Sequence, residues 1–266
     1  MSARFLCVGT HHKTGTVWMR RVLHEIKRDQ DVPLMQCNRA AKLKKAATSG
    51  PQIIVSWQST FPAELRALPH ARFLHMIRDP RDVLLSGMRY HRKAPLGREN
   101  FLAQMRDDLG GRTYQDHLNA LPTDMDRWLF EMHNKHAQTV AEMLAWDRTG
   151  PNTVDVRYED MIVDVDCVQF RAILTDFAIE GIDIDRAVHS FWLHSLFGGV
   201  AQEENLGEQH ALHITSGSVA QWKTQMPRAL AEIYADQYGP ALKTLGYADD
   251  DSWVMECPET VKDQMS

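Results

Sequence analysis

Residues 9–18, GTHHKTGTVW, bring together groups that bind phosphate-like anions. Gly15 lets the backbone approach an anion closely, while Thr14 and Thr16 offer hydroxyl groups. Lys13 adds a mobile positive charge. The helix expected after this turn presents free backbone N–H groups and the positive end of its dipole to the same place. The pattern predicts an anion site, the alternative being an ordinary capped helix with an exposed lysine.

A second candidate anion site lies in residues 78–86, RDPRDVLLS. Arg78 follows an apolar run, and its guanidinium suits bidentate contact with a phosphate. Ser86 lies in the helix expected next, and its hydroxyl is a hydrogen-bond donor. The alternative is that Arg78 pairs with Asp82 or caps a neighbouring element.

Short apolar runs and helix-periodic segments must position these residues. Runs typical of buried strands lie at 4–9, 53–57, 72–77 and 153–158. Segments with apolar residues at three- and four-residue steps lie at 15–28, after 78–82, at about 124–146 and near 166–178. Strands that alternate with helices predict an α/β fold with a central parallel sheet and helices on both faces. The ligand site is then expected at the carboxyl ends of the strands.

Composition is that of a globular protein. The chain has 266 residues, of which 44% are hydrophobic and 24% are charged. Globular domains average about 45–50% apolar and about 25% charged residues, which excludes a disordered or fibrous chain. No Ser/Gly-rich linker divides the sequence. We therefore predict one domain over residues 1–248, followed by an acidic, solvated tail over residues 249–266.

The charge distribution excludes some partners. The net charge is -5, so no global field favours nucleic acid or an anionic membrane. Residues 1–50 nevertheless hold ten Lys or Arg against three Asp or Glu, an excess of seven. This segment is either a basic wall around an anionic ligand or, for the cluster Lys42, Lys44 and Lys45, an ordinary solvated helix face.

Other features bear on compartment and metals. The four cysteines are scattered without a CxxC pair, which argues against a disulfide framework or a zinc cluster. No apolar run approaches the roughly 20 residues that span a bilayer, and the first residues lack the layout of a signal peptide. We expect a cytoplasmic protein without a membrane span or a bound metal.

Four segments, in family order, resemble the motifs of the sulfotransferases that use 3′-phosphoadenosine 5′-phosphosulfate (PAPS). They are HKTGTVW (12–18), IRDPRDVLLS (77–86), VRYEDM (156–161) and ITSGSVAQWK (214–223). The resemblance implies a P-loop-like sulfotransferase fold and sulfuryl transfer from PAPS to a hydroxyl or amine of a small-molecule or glycan acceptor. Sulfuryl transfer should resemble phosphoryl transfer in depending on positioning and electrostatic stabilisation, so we expect a metal-free, in-line reaction.

The resemblance also implies roles for individual residues. The residues that would hold the 5′-phosphosulfate are Lys13, Thr14, Gly15, Thr16 and Val17. Lys13 would also neutralise the charge that develops on the departing phosphate oxygen. Trp18 would stack on the adenine, its alternative being a core residue of the helix, and Tyr158 would lie near the adenine edge. The residues that would bind the 3′-phosphate are Arg78, Ser86, Ser216 and Gly217.

The catalytic histidine of the cytosolic family members has no clear counterpart here. The corresponding segment is VSWQSTFPAELRALP, residues 55–69. Anchoring it on Pro62 puts Thr60 at the histidine position, whereas counting back from Arg78 gives Ser56. Neither hydroxyl is a good general base, so the base comes from elsewhere or is not a histidine.

His11 and His12, in the turn before Lys13, are the nearest candidate bases. A neutral imidazole with a pKa of about 6.5 suits proton acceptance from a substrate hydroxyl. The alternatives are that one of them packs under the turn, or that neither is the base. More distant histidines, expected at the surface or the core edge, are His91, His133 and His136.

The C-terminal motif also departs from the family. It has Thr215-Ser216 where the family commonly has Arg-Lys before the glycine, which removes two cations from the expected 3′-phosphate site. His213 or the basic residues in 39–45 are the candidates to compensate. Segments near 57–70, 89–120 and 195–213 are expected to build the acceptor pocket.

Two other functions compete with sulfuryl transfer. A nucleotide-dependent kinase is disfavoured because the lysine precedes Thr-Gly-Thr, whereas a P-loop places it between a glycine and Ser or Thr. The strand at 72–77 also ends in Arg78 and not in a magnesium-binding Asp. A non-catalytic nucleotide-binding relative is supported by the missing histidine motif.

Overall fold

A computed structural model describes residues 3–37, 50–95, 97, 99–202 and 218–261. By their contacts, the residues form two compact units. The first comprises residues 1–78 and 145–206, and the second comprises residues 79–144 and 207–266. The single domain over 1–248 stays a prediction.

Seven strands lie within the described residues. They are β1 (Phe5–Gly9), β2 (Leu34–Gln36), β3 (Gln52–Ser56), β4 (Ala71–Ile77), β5 (Met105–Arg106), β6 (Arg112–Thr113) and β7 (Thr153–Arg157). The four strands expected from the sequence are present with small shifts of their ends. The short strands β2, β5 and β6 were not expected, because runs of two or three residues carry no periodicity.

Twelve α-helices lie in the same part of the chain. They are α1 (Thr16–Gln30), α2 (Ala63–Arg66), α3 (Pro80–Lys93), α4 (Asn100–Ala103), α5 (Tyr114–Ala120), α6 (Asp124–His133), α7 (Lys135–Leu144), α8 (Tyr158–Met161), α9 (Val168–Phe177), α10 (Ile184–Leu193), α11 (Trp222–Gln225) and α12 (Arg228–Leu245). Among the described residues, no helix combines the length and the apolar character needed to cross a membrane.

The first unit contains a five-stranded sheet. Its order is β2-β3-β1-β4-β7, and every pair is parallel. The carboxyl ends of all five strands therefore lie along one edge. The residues that follow β1, β4 and β7 at this edge are the turn at 10–15, Arg78 and Tyr158. This confirms the predicted α/β class and brings the expected ligand-binding segments to one side of the sheet.

Alternation along the central strand explains how the sheet is covered. Leu6 and Val8 face one core, which α1, α9 and α10 supply with side chains such as Leu23. Phe5 and Cys7 face a second core that contains Trp146 and residues around α2. Apolar side chains on both faces are typical of a parallel sheet that is buried on both sides.

The helix expected over 124–146 is in fact two helices, α6 and α7. Asn134 interrupts it with φ −119° and ψ −105°. The Asn134 side chain donates to the Phe130 carbonyl at 2.8 Å and accepts from Arg106 at 3.0 Å. A short amide side chain that competes with the backbone for hydrogen bonds ends the first helix.

The expectation of a solvated tail after residue 248 is wrong for Trp253, Val254 and Cys257. Trp253 and Cys257 are both buried, and residues Ser252–Glu256 form a 3₁₀ helix that packs against α12. The Trp253 ring lies 5.5 Å from the Trp222 ring in an edge-to-face arrangement. The acidic residues suggested solvent exposure, but two apolar side chains among them decide the packing.

Candidate active site

The turn between β1 and α1 adopts a conformation that exposes backbone donors. Lys13 has φ 62° and Gly15 has φ 97°, both in the left-handed region. Gly15 is the N-cap of α1, and no side chain accepts a hydrogen bond at this cap. The first N–H groups of a helix have no partner within the helix. The α1 N-terminus therefore offers donors and a positive dipole end, as an anion site requires.

The two threonine hydroxyls of this turn hold its shape. The Thr14 hydroxyl is fully buried, accepts from the His11 backbone N–H at 2.8 Å, and lies 3.0 Å from the His11 carbonyl oxygen. The Thr16 hydroxyl donates to that same carbonyl at 2.7 Å. The Thr14 hydroxyl is enclosed by protein, and the Thr14 backbone N–H donates to the His11 carbonyl at 3.2 Å. The contact of Thr14 with a ligand stays a prediction.

Arg78 lies beside the turn. Its Nη1 donates to the Lys13 carbonyl at 3.3 Å, and its guanidinium carbon lies 4.5 Å from the centre of the Tyr158 ring. The side chain is 7% exposed. Thus three residues predicted to bind the nucleotide, separated by 65 and 80 positions in the chain, lie together. Their contact with a nucleotide stays a prediction.

Gly15 is packed from behind by two of its neighbours. A Cβ at this position would lie 3.0 Å from the Met76 sulfur and 3.1 Å from Tyr158 Cδ2. Together with the left-handed φ, these tight contacts make any side chain at position 15 strained.

We expect Gly15→Ala to weaken binding of adenosine 3′,5′-bisphosphate at least tenfold in calorimetry, because the positive φ and the tight contacts with Met76 and Tyr158 favour a shift of the turn. The free energy of unfolding should fall by about 1–3 kcal/mol. Gly181→Ala is the matched control, since Gly181 has φ 71° and a Cβ there would lie 3.0 Å from Pro51. The control should lose stability but bind normally; equal binding losses would contradict the role of the turn.

Trp18 packs partly as a core residue. Its ring centre lies 4.9 Å from that of Phe191 and 6.1 Å from that of Tyr158, and the side chain is half-buried. The neighbouring Val17 is also half-buried. The ring of Trp18 therefore packs α1 against the core and also keeps some exposed surface. The predicted stacking on adenine and the alternative core role are both consistent with this position.

The second unit holds other parts of the predicted motifs. Ser86 is buried on α3, and its contact with a 3′-phosphate stays a prediction. Asp82 accepts from the Trp222 backbone N–H at 3.1 Å, and Asp79 accepts from the Trp222 indole at 3.0 Å. Arg81 lies 3.8 Å from the centre of the Trp222 ring. This network fixes the end of the fourth motif on the start of α3.

Several predicted residues lie outside the described residues. They are the 3′-phosphate candidates Ser216 and Gly217, His213, and the basic residues in 39–45.

His11 is fully buried, so its predicted role as a general base needs a change of conformation. Its Nε2 lies 2.8 Å from Nε2 of His75, and the two rings meet edge to face. His12 is half-buried in the same turn. Of the two candidate bases, His12 is therefore the one with surface through which a substrate can reach it.

His75 and its partner Asp155 were missed by sequence reasoning. His75 Nδ1 lies 2.9 Å from Asp155 Oδ1, and the ring stacks on Trp146 at 4.4 Å. Burial lowers the pKa of His75 to about 4, and the ring is neutral at pH 7. A polar residue inside the apolar run 72–77 was the available signal.

The positions that correspond to the family histidine are occupied by residues of a tight turn. The Ser56 hydroxyl is buried and accepts from the Thr60 backbone N–H at 2.9 Å. Thr60 is exposed, and its hydroxyl donates to the Gln58 carbonyl at 3.2 Å. In these contacts both side chains bond only to backbone groups. That neither is the base stays a prediction.

The more distant histidines differ in their burial. His133 is exposed, as expected, and contacts the Leu129 carbonyl at 2.7 Å. The expectation was wrong for His91 and His136, which are fully buried. They pair with Glu131 at 2.8 Å and with the Tyr234 hydroxyl at 2.9 Å, respectively. Such partners satisfy polar groups within a core.

Comparison with solved structures shows the same fold in known enzymes. Mouse sulfotransferase SULT7A1 complexed with PAP is 14% identical with a TM-score of 0.56, and the match covers 96% of this chain and 90% of that chain. Retinol dehydratase with androsterone and the inactive cofactor PAP is 12% identical with a TM-score of 0.50, covering 94% and 82%. The complex of retinol dehydratase with retinol and PAP is 13% identical with a TM-score of 0.50, and the match covers 94% of this chain and 83% of that chain.

Comparisons of sequence complete the assignment. No curated protein matches the sequence. The family model of the sulfotransferase domain matches residues 5–246, and all four predicted motifs lie within this range. Since this match covers most of the chain and the fold is that of solved sulfotransferase structures, the chain belongs to the sulfotransferase domain family and is a sulfotransferase.

Proposed function

We propose that this sulfotransferase takes its sulfuryl group from PAPS and transfers it to a hydroxyl or amine of a small-molecule or glycan acceptor. PAPS carries phosphate groups at both ends of one nucleoside. Its recognition therefore needs two anion sites with an aromatic surface between them. The β1–α1 turn, Arg78, and the rings of Trp18 and Tyr158 supply these groups within the first unit.

The position of Arg78 is the observation that carries the proposal. Its Nη1 lies 3.3 Å from the Lys13 carbonyl although the two residues are 65 positions apart. A guanidinium held next to a helix-N-terminal anion site suits a ligand with more than one anionic group. Solved relatives of the same fold, mouse SULT7A1 and retinol dehydratase, hold PAP, the nucleotide that remains after PAPS gives up its sulfuryl group.

In the proposed reaction, Lys13 and the backbone donors of the α1 N-terminus stabilise negative charge on the departing phosphate oxygen. The acceptor oxygen or nitrogen forms a bond to sulfur while the bond from sulfur to that phosphate oxygen breaks, and the acceptor proton passes to a base. His12 is the proposed base, since His11 is enclosed. Such a reaction depends on position and charge and is proposed to need no metal.

Thermal unfolding with candidate nucleotides tests the cofactor. Adenosine 3′,5′-bisphosphate at 100 times its dissociation constant should stabilise the protein by about 2.7 kcal/mol, which raises Tm by about 5–10 °C. The shift should be the same with and without magnesium. A larger, magnesium-dependent shift with ATP or ADP would favour the kinase alternative and overturn the proposal.

A second candidate function is nucleotide binding without catalysis. It is favoured by Ser56 and Thr60, which occupy the two possible positions of the family histidine. The two functions differ in release of adenosine 3′,5′-bisphosphate from PAPS in the presence of a panel of phenols, alcohols, sugars and amines. Catalysis requires at least one acceptor to raise this release above the rate without acceptor, whereas the binding protein would show tight binding and no increase.

A further inference from the structure

A chain of polar side chains runs from Asp155, at the surface on β7, through the buried His75 of β4 to the buried His11 of the turn after β1. Parallel pairing sets Asp155 of β7 directly beside His75 of β4, and His75 beside Gly9 of β1. His11 lies two residues beyond Gly9, in the turn that follows β1. The resulting contacts are 2.9 Å from Asp155 Oδ1 to His75 Nδ1 and 2.8 Å from His75 Nε2 to His11 Nε2.

The hydrogen-bond donors around Asp155 give this chain a direction. Asp155 also accepts from the Trp146 indole at 3.1 Å and lies 3.3 Å from Arg148 Nε, contacts that suit a carboxylate with only acceptor oxygens. His75 must then carry its proton on Nδ1 and donate it to Asp155. Its bare Nε2 can only accept, so His11 donates from Nε2. One tautomer of each ring is thereby selected.

The turn that contains His11 has an unfavourable backbone conformation at Lys13. Lys13 has φ 62°, a left-handed conformation that costs a residue with a Cβ about 1–2 kcal/mol. Such conformations persist where the surroundings over-determine them. The His11 carbonyl accepts from Thr16 at 2.7 Å, and the His11 N–H donates to Thr14 at 2.8 Å. Fixing the His11 ring therefore fixes the backbone on which the rest of the turn is built.

We propose that His75 is a positioning residue for the sulfotransferase reaction: oriented by Asp155, it holds His11 and thereby the conformation of the turn that presents Lys13. This inference rests on the proposed function for its consequence in catalysis, but its conformational part stands on these contacts alone. His75 itself is fully buried and acts through His11 without touching substrate.

Two replacements of His75 separate positioning from packing. His75→Phe fills similar space but leaves the His11 N–H and Asp155 without their partner. His75→Gln provides a carbonyl oxygen that accepts from His11 and an amide N–H that donates to Asp155. Calorimetry with adenosine 3′,5′-bisphosphate should show about tenfold weaker binding for His75→Phe, and binding within about threefold of the original protein for His75→Gln.

Amide hydrogen exchange of the nucleotide-free protein provides a readout independent of function. His75→Phe should speed exchange at residues 10–16 while leaving exchange in β3 unchanged, and His75→Gln should retain the original protection. If the unaltered protein fails to bind adenosine 3′,5′-bisphosphate, the proposed cofactor is wrong, yet this comparison still decides whether His75 holds the turn. Unchanged exchange in His75→Phe would overturn the inference.

A double-mutant cycle tests whether His75 acts through the turn that presents Lys13. Combined with Lys13→Ala, His75→Phe should lose most of its additional effect on the rate of sulfuryl transfer, because the ammonium group that it positions for the reaction is gone. Purely additive effects, or equal losses for the phenylalanine and glutamine variants, would refute positioning. His136→Phe is the matched control. His136 is equally buried, and its hydrogen-bond partner Tyr234 lies with it in the second unit. This variant should leave binding unchanged.

Discussion

Lys13→Ala is expected to slow sulfuryl transfer by about 100- to 1,000-fold, with an affinity for adenosine 3′,5′-bisphosphate reduced less than tenfold. Removing one preorganised group that stabilises transition-state charge typically costs about 2.7–4 kcal/mol of activation free energy. The charge on the bridging phosphate oxygen grows as the bond to sulfur breaks, so the ammonium group contributes more in the transition state than in the bound ground state. Release of adenosine 3′,5′-bisphosphate from PAPS measures the rate.

The backbone at this position makes the comparison clean. Lys13 has φ 62°, and alanine meets nearly the same left-handed strain as lysine because both carry a Cβ. Lys27→Ala is the control, because Lys27 is exposed in the last turn of α1. This substitution removes the same charge from the same unit. A rate for Lys13→Ala equal to that of the control would remove Lys13 from the reaction.

Arg78→Met should weaken adenosine 3′,5′-bisphosphate by about 10- to 100-fold and adenosine 5′-phosphate by less than about threefold. Hydrogen bonds to a charged partner contribute about 1.5–3 kcal/mol, and 1.4 kcal/mol corresponds to tenfold in affinity. Methionine keeps an unbranched apolar side chain against Tyr158 but has no guanidinium. Calorimetric titration of both nucleotides gives the ratio that assigns Arg78 to the 3′-phosphate.

Arg66→Met is the matched control for the loss of an aromatic contact. The Arg66 guanidinium lies 4.2 Å from the centre of the Trp146 ring, comparable with the 4.5 Å between Arg78 and Tyr158. It should lose only stability, about 1 kcal/mol. If Arg78→Met weakens both nucleotides equally, Arg78 acts by supporting the turn through the Lys13 carbonyl and does not recognise the 3′-phosphate.

Residues close together in sequence were the most predictable part of this protein. The turn between β1 and α1 could be predicted because a strand end, a glycine, a lysine and a helix start follow one another within ten residues; its binding of an anion stays a prediction. The start of α3 was equally local: Asp79 caps the helix by accepting from the Arg81 backbone N–H at 2.9 Å, and Pro80 occupies its first turn. Local hydrogen bonds and fixed dihedral angles act over a few residues, so sequence patterns report them.

Burial of individual side chains was less predictable. The helical segment around His136 suggested a surface or core-edge position, yet the side chain is enclosed with Tyr234 as partner. Trp253 was placed in a solvated tail because acidic residues surround it. In both places the deciding interaction is with a residue distant in sequence, which local composition does not contain.

The sequence by itself determined the alternation of strands and helices, the parallel sheet, the turn between the first strand and helix, and the sulfotransferase family. Only the tertiary structure decided that Arg78 lies beside Lys13 and that His11 is anchored to His75 and Asp155. The physical reason is that the order and register of the strands create these contacts. A histidine in an apolar strand acquires a role only when pairing sets a carboxylate on one side of it and the turn on the other.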